Sequence, residues 1–597
     1  MGMAEQTVTV ETAFFRADRV TDYEWFEGAL DIPRNRYPGG GMAEVYLRNS
    51  SSQPVRVARL RVDGRDLMQL GKGEDIVWWR LRPNPLPANA FGELVIRFRS
   101  IPAKPIRIEV QLQDGDGITV RVPVTPPVAR LESLSFGEDG RQLFVYLECT
   151  GGGDPPKRVR KVYLDGSDIT RRARVLSRNF WQGLCPIVLH LPQPLSPGSF
   201  HYLRIDTTAG TIGSVFRARD GFFPLASYGY VTPEEYATND VNLYVSFSGL
   251  DKQQLDTLWH HQVKAISMVA GDGKPRADNI GHPALWAYYL TDEPDVQDYY
   301  EQGLPADRRV GAKAMEMVRR DEACYQADPR ALTFLTVDLT YKPANWYIYA
   351  RIADVHNTDP YALLVGWNLR QVYEVAETAR LASAPTPTVI TYQAMWIEPI
   401  GKPSDAKYPR MPTPEEVRIM MHYALAAGAK GLISYIHCTE RVGEQMFWGA
   451  KDYPEVWAVI GKTYREVKTV APILAHAHPA AMVTSQADGL FVKALVAPEA
   501  VFLVCINERG KSLPHRYVSQ SLPAGMVEVL TPPWLPLRRA YLVGEGTFTS
   551  LPCGVKGERT RLQLPEIETA CMVLLTRDDS LTKRLAAAYL ATRARTP

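Results

Sequence analysis

The stretch FPLASYGYVTPEEYATNDVNLYVSF (residues 223–247) determines the fold that we predict for this chain. It joins two short apolar segments, FPLASYGY and VNLYVSF, through a polar segment of helical character. Thr232 stands directly before Pro233 and three residues before Glu235, the pattern of a capping box whose helix starts with proline. A strand, a helix and a second strand in this order form one unit of a parallel βα repeat.

The same alternation continues to about residue 474 and gives eight candidate strands. These are FPLASYGY, VNLYVSF, VKAISMVA, LWAYYL, ALTFLTVDL, ADVHNTDPY, TVITYQAMW and GLISYIH. A second capping box, Thr413-Pro414-Glu415-Glu416, starts one of the later helices. Eight units in about 255 residues have the size of a (β/α)₈ barrel, which we assign to residues 219–476. The segment between the third and fourth strands, GDGKPRADNIGHPA, is too short for a full helix and leaves open a miscounted strand.

Alternating apolar and polar residues separated by turns indicate β-sandwiches on both sides of the barrel. We assign immunoglobulin-like sandwiches to residues 1–125 and 126–218, a C-terminal sandwich to 477–577, and a helical or frayed tail to 578–597. The first two sandwiches share an internal repeat, PVRVARLRVDGRDL (from Pro54) and PKRVRKVYLDGSDI (from Pro156). The Asp-Gly pair in each copy predicts a shared hairpin turn, which we favour over a calcium-binding or catalytic role. The predicted fold class is therefore α/β plus all-β in several domains.

Composition excludes several classes of protein. The 597 residues carry 68 Lys and Arg against 66 Asp and Glu, a formal charge of +2, so a nucleic-acid partner is not indicated. No apolar run is long enough to cross a membrane, and the start, MGMAEQTVTVETAFF, has no secretion-signal pattern, which leaves the compartment open. No HExxH motif occurs, and the pairs His260-His261 and His476/His478 lie in a predicted helix and a linker. We therefore expect neither a metal nor a cofactor.

The strongest candidate for catalytic residues is the stretch His282–Pro294, HPALWAYYLTDEP, at the fourth strand. Active sites of such barrels lie at the C-terminal ends of the strands, so Asp292 and Glu293 are placed at the barrel mouth. Pro294 ends the strand and favours an extended conformation for Glu293. A carboxyl group beside aromatic surface and a second carboxylate is expected to have a raised pKa, which suits a proton donor.

This stretch resembles the strand-four signature of retaining glycoside hydrolases with (β/α)₈ barrels, the clan of the cellulase-like and β-galactosidase-like families. AAGAKGLISYIH and YPEVWAVIGKTYREVKTVAPIL look like the last strand and last helix of the same clan. The resemblance covers about residues 220–475, and sandwich domains are usual in this clan. It implies that Glu293 is the general acid/base and that Asp292 replaces the usual asparagine before it.

The resemblance also implies a nucleophilic glutamate at the end of strand seven, where this sequence departs from the clan. The aligned residue is Gln393, whose amide cannot form a glycosyl ester. Glu398, five residues later, is the first choice for the second catalytic carboxylate. The carboxylates after strands five, six and eight remain alternatives: Asp338, Asp359 and Glu440.

Aromatic and polar side chains follow four of the predicted strands, a pattern that favours a sugar-binding mouth. The expected substrate contacts are Asp292, Asp338, Trp346, His356, Asp359, Tyr361, Gln393, Trp396, Tyr435, His437, Glu440 and Trp448. The sequence thus predicts a hydrolase that cleaves a β-linked glycosidic bond in an oligosaccharide or polysaccharide with retention. Two alternatives stay open: an inverting hydrolase, and a glycan-binding protein on a barrel that has lost its activity. The sugar, the linkage and the oligomeric state stay undetermined.

Overall fold

The computed structural model describes residues 7–25, 37–113, 117–125, 127–150, 158–177, 179–401 and 403–593. Its centre is a closed barrel of eight parallel strands, which confirms the predicted fold class and all eight candidate strands. The strands, called β1 to β8 here, are Leu225–Tyr228, Leu243–Ser246, Lys264–Met268, Leu285–Tyr289, Leu332–Val337, Val355–Thr358, Thr388–Gln393 and Leu432–Tyr435. The pairing of β1 with β8 closes the barrel.

Helices surround the barrel on the outside. Both predicted capping boxes are present, since the Thr232 and Thr413 side chains accept hydrogen bonds from the backbone N–H of Glu235 and Glu416. The α-helices of this region are Pro233–Asn239, Lys252–His260, Pro294–Tyr299, Ala306–Arg309, Ala314–Ala327, Ala344–Tyr349, Gln371–Ser383, Pro414–Ala426 and Pro454–Leu474. Between β3 and β4 the chain forms the short 3₁₀ helix Ala277–Asn279, so the strand count was right although this connection is brief. Within the described residues, no helix combines the length and apolar character needed to cross a membrane.

Two four-stranded sheets form each of the two N-terminal sandwiches. The first contains Val8–Ala17, Gly41–Asn49, Phe91–Phe98 and Ile76–Arg82 in one sheet and Arg65–Asp66, Val57–Val62, Ile106–Leu112 and Gly117–Val122 in the other. The second contains Ala173–Val175, Leu184–His190, Gln142–Cys149 and Ala129–Phe136, and Ser167–Asp168, Val159–Leu164, Phe200–Thr207 and Gly210–Arg217; the 3₁₀ helix Thr170–Arg172 follows its Asp-Gly turn. Both repeated Asp-Gly pairs have positive φ at both residues and join paired strands, which confirms the predicted hairpin turn.

The C-terminal region is again a β-sandwich, as predicted. Its six-stranded sheet contains His478–Ala480, Leu490–Val496, Ala500–Asn507, Ala570–Thr576, Arg539–Val543 and Phe548–Leu551. Val483–Ser485, Gly525–Leu530, Arg559–Leu564 and Cys553–Lys556 form the second sheet, and Lys511–Leu513 pairs with Arg516–Val518. The tail forms the helix Ser580–Arg593.

Buried ion pairs fix the N-terminal sandwiches to the barrel at the start of β6. Arg82 and Arg217, one from each sandwich, both donate to the carboxylate of Asp354, the residue before β6. Burial alone would raise the pKa of Asp354, but these two arginines outweigh it and lower the pKa to about 2. Charge pairs buried with their partners hold a fixed geometry. The sandwiches therefore anchor the strand whose other end carries Asp359.

Candidate active site

Three consecutive barrel strands are followed by carboxyl groups that meet at the mouth of the barrel. Glu293 follows β4, while Asp338 and Asp359 come directly after β5 and β6. One carboxyl oxygen of each lies within 4.8 Å of an oxygen of the other two. Because neighbouring parallel strands end at the same face of the barrel, their last residues converge. The structure thus brings Glu293 together with two of the carboxylates that the sequence offered only as alternatives; we call these three residues the carboxyl cluster.

The backbone of Glu293 differs from the prediction. Glu293 has φ 43° and ψ 63°, in the left-handed region, so the expected extended conformation before Pro294 is wrong. A residue other than glycine in this region costs about 1–3 kcal/mol and is found where its surroundings enforce it. Here the chain turns at once into the helix Pro294–Tyr299, whose Asp295 and Asp298 are fully buried. Their hydrogen bonds fix the turn that presents Glu293 to the mouth.

Asp295 connects the turn after β4 to the loop after β5. Its Oδ1 accepts the backbone N–H of Asp338 at 3.0 Å. Its Oδ2 accepts the backbone N–H of Thr340 at 3.4 Å and the Asn345 amide at 2.8 Å. Asp295 therefore fixes Asp338 relative to Glu293. Sequence reasoning missed it, because an acidic residue in the first turn of a helix is common wherever the helix dipole favours negative charge.

Burial and mutual repulsion favour the protonated form of two members of the carboxyl cluster. Burial, followed by the charges of Asp338, Asp359 and Asp292, raises the pKa of Glu293 well above its usual range. Burial and then the charge of Asp338 do the same for the pKa of Asp359. The raised pKa predicted for Glu293 is confirmed, although Asp338 and Asp359 contribute more than the Asp292 named from the sequence. Like charges this close cannot all ionise at neutral pH.

Asp338 is the member of the cluster that ionises most readily. Burial raises the pKa of Asp338, but the backbone N–H of Leu339, the charge of Lys342 and the Thr340 hydroxyl all act in the opposite direction. The Thr340 hydroxyl lies 3.3 Å from Asp338 Oδ2 and donates to it. Asp359 has a hydrogen bond with Glu293 that lowers its pKa, but burial and the charges of Asp338 and Asp292 outweigh it, and its buried Oδ1 has no hydrogen-bond partner. Donors to the charged form favour ionisation, so Asp338 is better suited than Glu293 or Asp359 to carry a negative charge.

Asp292 lies beside the cluster in a hydrogen-bonded network. The Tyr289 hydroxyl donates to Asp292 Oδ1, and the Tyr228 hydroxyl donates to Tyr289 at 3.3 Å. Burial raises the pKa of Asp292 to about 6, although the Tyr289 hydrogen bond lowers it. The same Tyr289 oxygen lies 2.6 Å from Thr336 Oγ1, which joins this network to the floor of the barrel. Tyr228 and Tyr289 were missed from the sequence, although both stand on strands.

Aromatic rings stand beside the carboxyl cluster. Tyr361 stacks on Tyr435 with ring centres 5.4 Å apart and planes at 27°. Phe247, directly after β2, stacks on Tyr228 at 4.6 Å and 19°. Tyr435 also meets the edge of Tyr228 at 5.4 Å, so the two stacked pairs form one aromatic wall. Tyr361 and Tyr435 lie where the sequence placed them, and Phe247 adds an exposed ring that it did not identify.

The structure does not bring Glu398 to the carboxyl cluster. The chain leaves the barrel after β7 and enters a separate three-stranded sheet, formed by Met395–Pro399, Gln445–Gly449 and Glu440–Val442. Glu398 is exposed there, and its carboxylate accepts the indole N–H of Trp448 at 2.7 Å. Glu440 is exposed on the third strand, and Trp396 donates to the Tyr453 hydroxyl at 3.1 Å. These residues belong to a hairpin above the barrel.

Three other predicted contacts are buried away from the cluster. Trp346 lies in the helix Ala344–Tyr349 against Trp25, with ring centres 5.0 Å apart. His356 is buried on β6 between the inward-facing Val355 and Asn357, so the strand alternation directs it outward. His437 Nε2 lies 3.1 Å from Glu235 Oε1. A residue near the end of a strand does not always line the mouth, because side chains along a strand alternate between the inside and the outside of the barrel.

Gln393 ends β7 and holds the loop that follows β6. Its Oε1 accepts the backbone N–H groups of Leu363 and Leu364 at 3.0 and 3.1 Å. Its Nε2 donates to the Met395 carbonyl at 3.0 Å. The amide thus uses both its acceptor and its donor, which a carboxylate could not do. Gln393 therefore positions the loop that carries Asp359 and Tyr361.

This arrangement predicts a pH-dependent effect of Gln393→Glu on stability. A protonated glutamic acid can accept from the loop and donate to the Met395 carbonyl, whereas its ionised form faces that carbonyl without a proton. Burial raises the pKa of such a group, so stability is retained below its unfolded-state pKa and is lost as the pH rises toward its folded-state pKa. We expect a melting temperature close to wild type at about pH 4 and lower by about 2 °C or more at about pH 8.

Gln445→Glu, an exposed substitution on the hairpin, is the matched control and should show no such pH dependence. Equal melting temperatures of Gln393→Glu and wild type at both pH values would contradict the role assigned to the amide.

The carboxyl cluster is also the one group in the described residues whose acidic, histidine and cysteine side chains could hold a metal ion. Hard cations such as Mg²⁺ and Ca²⁺ prefer carboxylate oxygens. The same oxygens bind a proton, so a cation and the raised pKa of Glu293 are competing states of one site.

No protein-family model matches the sequence, and no curated protein matches it. Similar solved structures include a β-glucuronidase from Bacteroides uniformis, with 8% identity, 96% of this chain and 100% of that chain covered, and a TM-score of 0.31. A GH2 β-galacturonidase from Eisenbergiella tayi has 11% identity, 78% and 98% coverage, and a TM-score of 0.31. A glycoside hydrolase family 5 protein from Bacteroides vulgatus has 9% identity, 60% and 89% coverage, and a TM-score of 0.38.

Fold and site together define a multidomain barrel protein with a carboxyl cluster at the C-terminal ends of three consecutive strands. The solved structures that it resembles include glycoside hydrolases of families 2, 5 and 30. Identities of 8 to 11% leave the choice of reaction to the chemistry of the site.

Proposed function

We propose that this protein is a glycoside hydrolase in which Glu293 is the general acid/base and Asp338 the second catalytic carboxylate. The observation that carries this proposal is the carboxyl cluster, whose oxygens lie within 4.8 Å of one another. It contains Glu293, whose pKa is raised well above its usual range, and Asp338, whose charged form accepts hydrogen bonds. Glycoside hydrolysis by two carboxyl groups needs this division of roles.

The separation of the carboxyl groups favours retention. Inverting enzymes keep their carboxyls about 6.5–9.5 Å apart to admit a water molecule, whereas retaining pairs are about 5–5.5 Å apart. One oxygen of each carboxyl group in the cluster lies within 4.8 Å of one oxygen of the others, which supports the shorter spacing of a retaining pair. In this proposal Asp338 attacks the anomeric carbon while Glu293 protonates the departing oxygen. Glu293, now ionised, then removes a proton from the water that releases the sugar from Asp338.

Asp338 suits the nucleophile's role better than Asp359 or Glu398. It is half-buried, so a substrate can reach it, whereas Asp359 is 2% exposed. Glu398, the first choice from the sequence, accepts a hydrogen bond from the Trp448 indole on the hairpin. The departure from the clan pattern at strand seven therefore does not by itself indicate lost activity, since Gln393 has a positioning role.

The aromatic wall of Phe247, Tyr228, Tyr361 and Tyr435 offers ring faces for the C–H groups of a sugar. An oligosaccharide or polysaccharide is the proposed substrate, and the sandwiches support the barrel that binds it. The proposed chemistry uses side chains of this chain alone.

A panel of α- and β-linked nitrophenyl glycosides and oligosaccharides tests this function. We expect cleavage of a β-linked member, with the first-formed sugar keeping the anomeric configuration in a proton NMR time course. The pH profile should be bell-shaped, because activity is lost when Asp338 is protonated at low pH and when Glu293 ionises at high pH. Inversion at the anomeric carbon would contradict the assigned double displacement, and binding without cleavage would support a glycan-binding protein instead.

A further inference from the structure

A cavity lies at the base of the barrel, where both N-terminal sandwiches meet the strands at the end opposite the mouth. Its volume is about 50 Å³, more than the roughly 10–15 Å³ that one water molecule needs. Leu332, which begins β5, and Asp354, which precedes β6, form its barrel side. The first sandwich contributes Arg80 and Arg82, and the second contributes Arg217. The cavity is therefore a junction of the barrel with both sandwiches and is separate from the candidate active site.

The charges around this cavity do not balance. Five guanidinium groups line it, and the four carboxylates that line it or pair with those arginines leave an excess of one positive charge. Asp220 also acts on Arg219, but this carboxylate is exposed and pairs with Lys264. Burial raises the pKa of Glu93, which favours its neutral form and adds to the positive excess. The arginines are Arg80, Arg82, Arg217, Arg219 and Arg351, and the carboxylates are Glu44, Glu93, Asp321 and Asp354.

Two of the five arginines have no carboxylate within hydrogen-bond distance. The carboxylate oxygens closest to Arg80 lie 4.0 Å away, and its Nη1 donates to the Ile352 carbonyl at 2.6 Å. Arg219 donates to the Leu134 carbonyl at 2.7 Å, and no carboxylate of the described residues forms an ion pair with it. Burial is the largest effect on both arginines and lowers the pKa of each to about 10. Their charged forms would therefore gain from a negative charge in the cavity.

The unsatisfied groups on the cavity wall are all hydrogen-bond donors. Nε of Arg80, of Arg82 and of Arg351 is buried without a hydrogen-bond partner. Among the described side chains that line the cavity, no other buried polar atom lacks a partner. A guanidinium group has N–H donors and no acceptor, whereas a water molecule brings donors of its own that also need partners. An ion that only accepts hydrogen bonds therefore satisfies this wall better than water does.

We propose that this cavity binds one monovalent halide ion, chloride under ordinary conditions, which holds both sandwiches to the base of the barrel. One negative charge matches the excess of the arginines, whereas a doubly charged anion would exceed it. A halide ion is also close to water in size, so the cavity has room for it. This inference does not depend on the proposed function, because the cavity and the carboxyl cluster lie at opposite ends of the barrel.

Crystals of the full-length protein soaked in sodium bromide test this directly, because bromide scatters anomalously at its absorption edge. We expect an anomalous peak inside the cavity, next to the guanidinium group of Arg80. In solution, halide-free protein should gain about 2 °C or more in melting temperature as bromide is added, and the gain should saturate. Sodium gluconate at equal ionic strength should give no such gain, because gluconate is too large for the cavity.

Arg80→Met removes the charge and keeps most of the length of the side chain, so it should abolish the halide-dependent gain. Arg107→Met, at an exposed position of the same sandwich, is the matched control and should keep the gain. If Arg80→Met does not fold, the wild-type crystals still decide. A cavity that holds only water after the bromide soak would overturn the inference, and so would a bromide-dependent gain that Arg80→Met retains.

Discussion

Glu293→Gln is expected to lower kcat/KM for a glycoside with a poor leaving group by about 100- to 10,000-fold, the usual range for loss of a general acid. Glutamine keeps the size of the side chain and its capacity for hydrogen bonding but cannot release a proton to the departing oxygen. The left-handed backbone at position 293 is available to glutamine as much as to glutamate, so the turn should persist.

The leaving group distinguishes this effect from a structural one. A dinitrophenolate departs without protonation, so cleavage of its glycoside should fall far less in Glu293→Gln than cleavage of an alkyl glycoside. Glu444→Gln is the control for loss of an exposed acidic side chain on the hairpin. Equal losses on both substrates would argue against the role of proton donor.

Asp338→Asn is expected to remove more than about 1,000-fold of kcat, because the amide cannot form the covalent bond to the anomeric carbon. Asparagine at this position keeps the backbone N–H that Asp295 accepts, so the loop after β5 should remain in place. In the smaller variant Asp338→Gly, azide at millimolar concentration should restore part of the rate by attacking the anomeric carbon from the vacated side and displacing the leaving group, and the product should be a glycosyl azide of inverted configuration.

A parallel measurement on Glu398→Gln decides between the two candidates for the second carboxylate. Since Glu398 is exposed on the hairpin, we expect it to lose less than about tenfold. A loss in Glu398→Gln equal to that in Asp338→Asn, with azide rescue, would restore the assignment to strand seven.

The barrel could be predicted from sequence because each strand has a recognisable pattern within its own few residues. Apolar runs such as that of β4, and capping boxes such as that at Thr232, depend on neighbours within a few residues. The Asp-Gly turns at Asp63 and Asp165 are local in the same sense. The structure contains these local features because each depends only on residues next to it in sequence, whose conformation the fold leaves unchanged.

The cluster was only partly predictable, since it depends on which strand ends converge. The order of strands in a barrel makes Asp338 and Asp359 neighbours of Glu293, whereas Glu398 was preferred by the resemblance to a clan whose pattern this chain does not follow at Gln393. The second feature that the sequence did not give was which side chains of each strand point into the barrel. His356 follows the correct strand but alternates outward, whereas Asn357 points inward and donates to Thr336.

We expect Glu293 to be protonated at neutral pH, because burial and the carboxyl groups around it both raise its pKa. Difference infrared spectroscopy between wild type and Glu293→Gln measures this without any substrate. We expect the variant to lose a protonated-carboxyl C=O band at about pH 7, and we expect the band to persist in the wild type well above the usual pKa of a glutamate. Loss of an ionised carboxylate band instead, at the same pH, would contradict it.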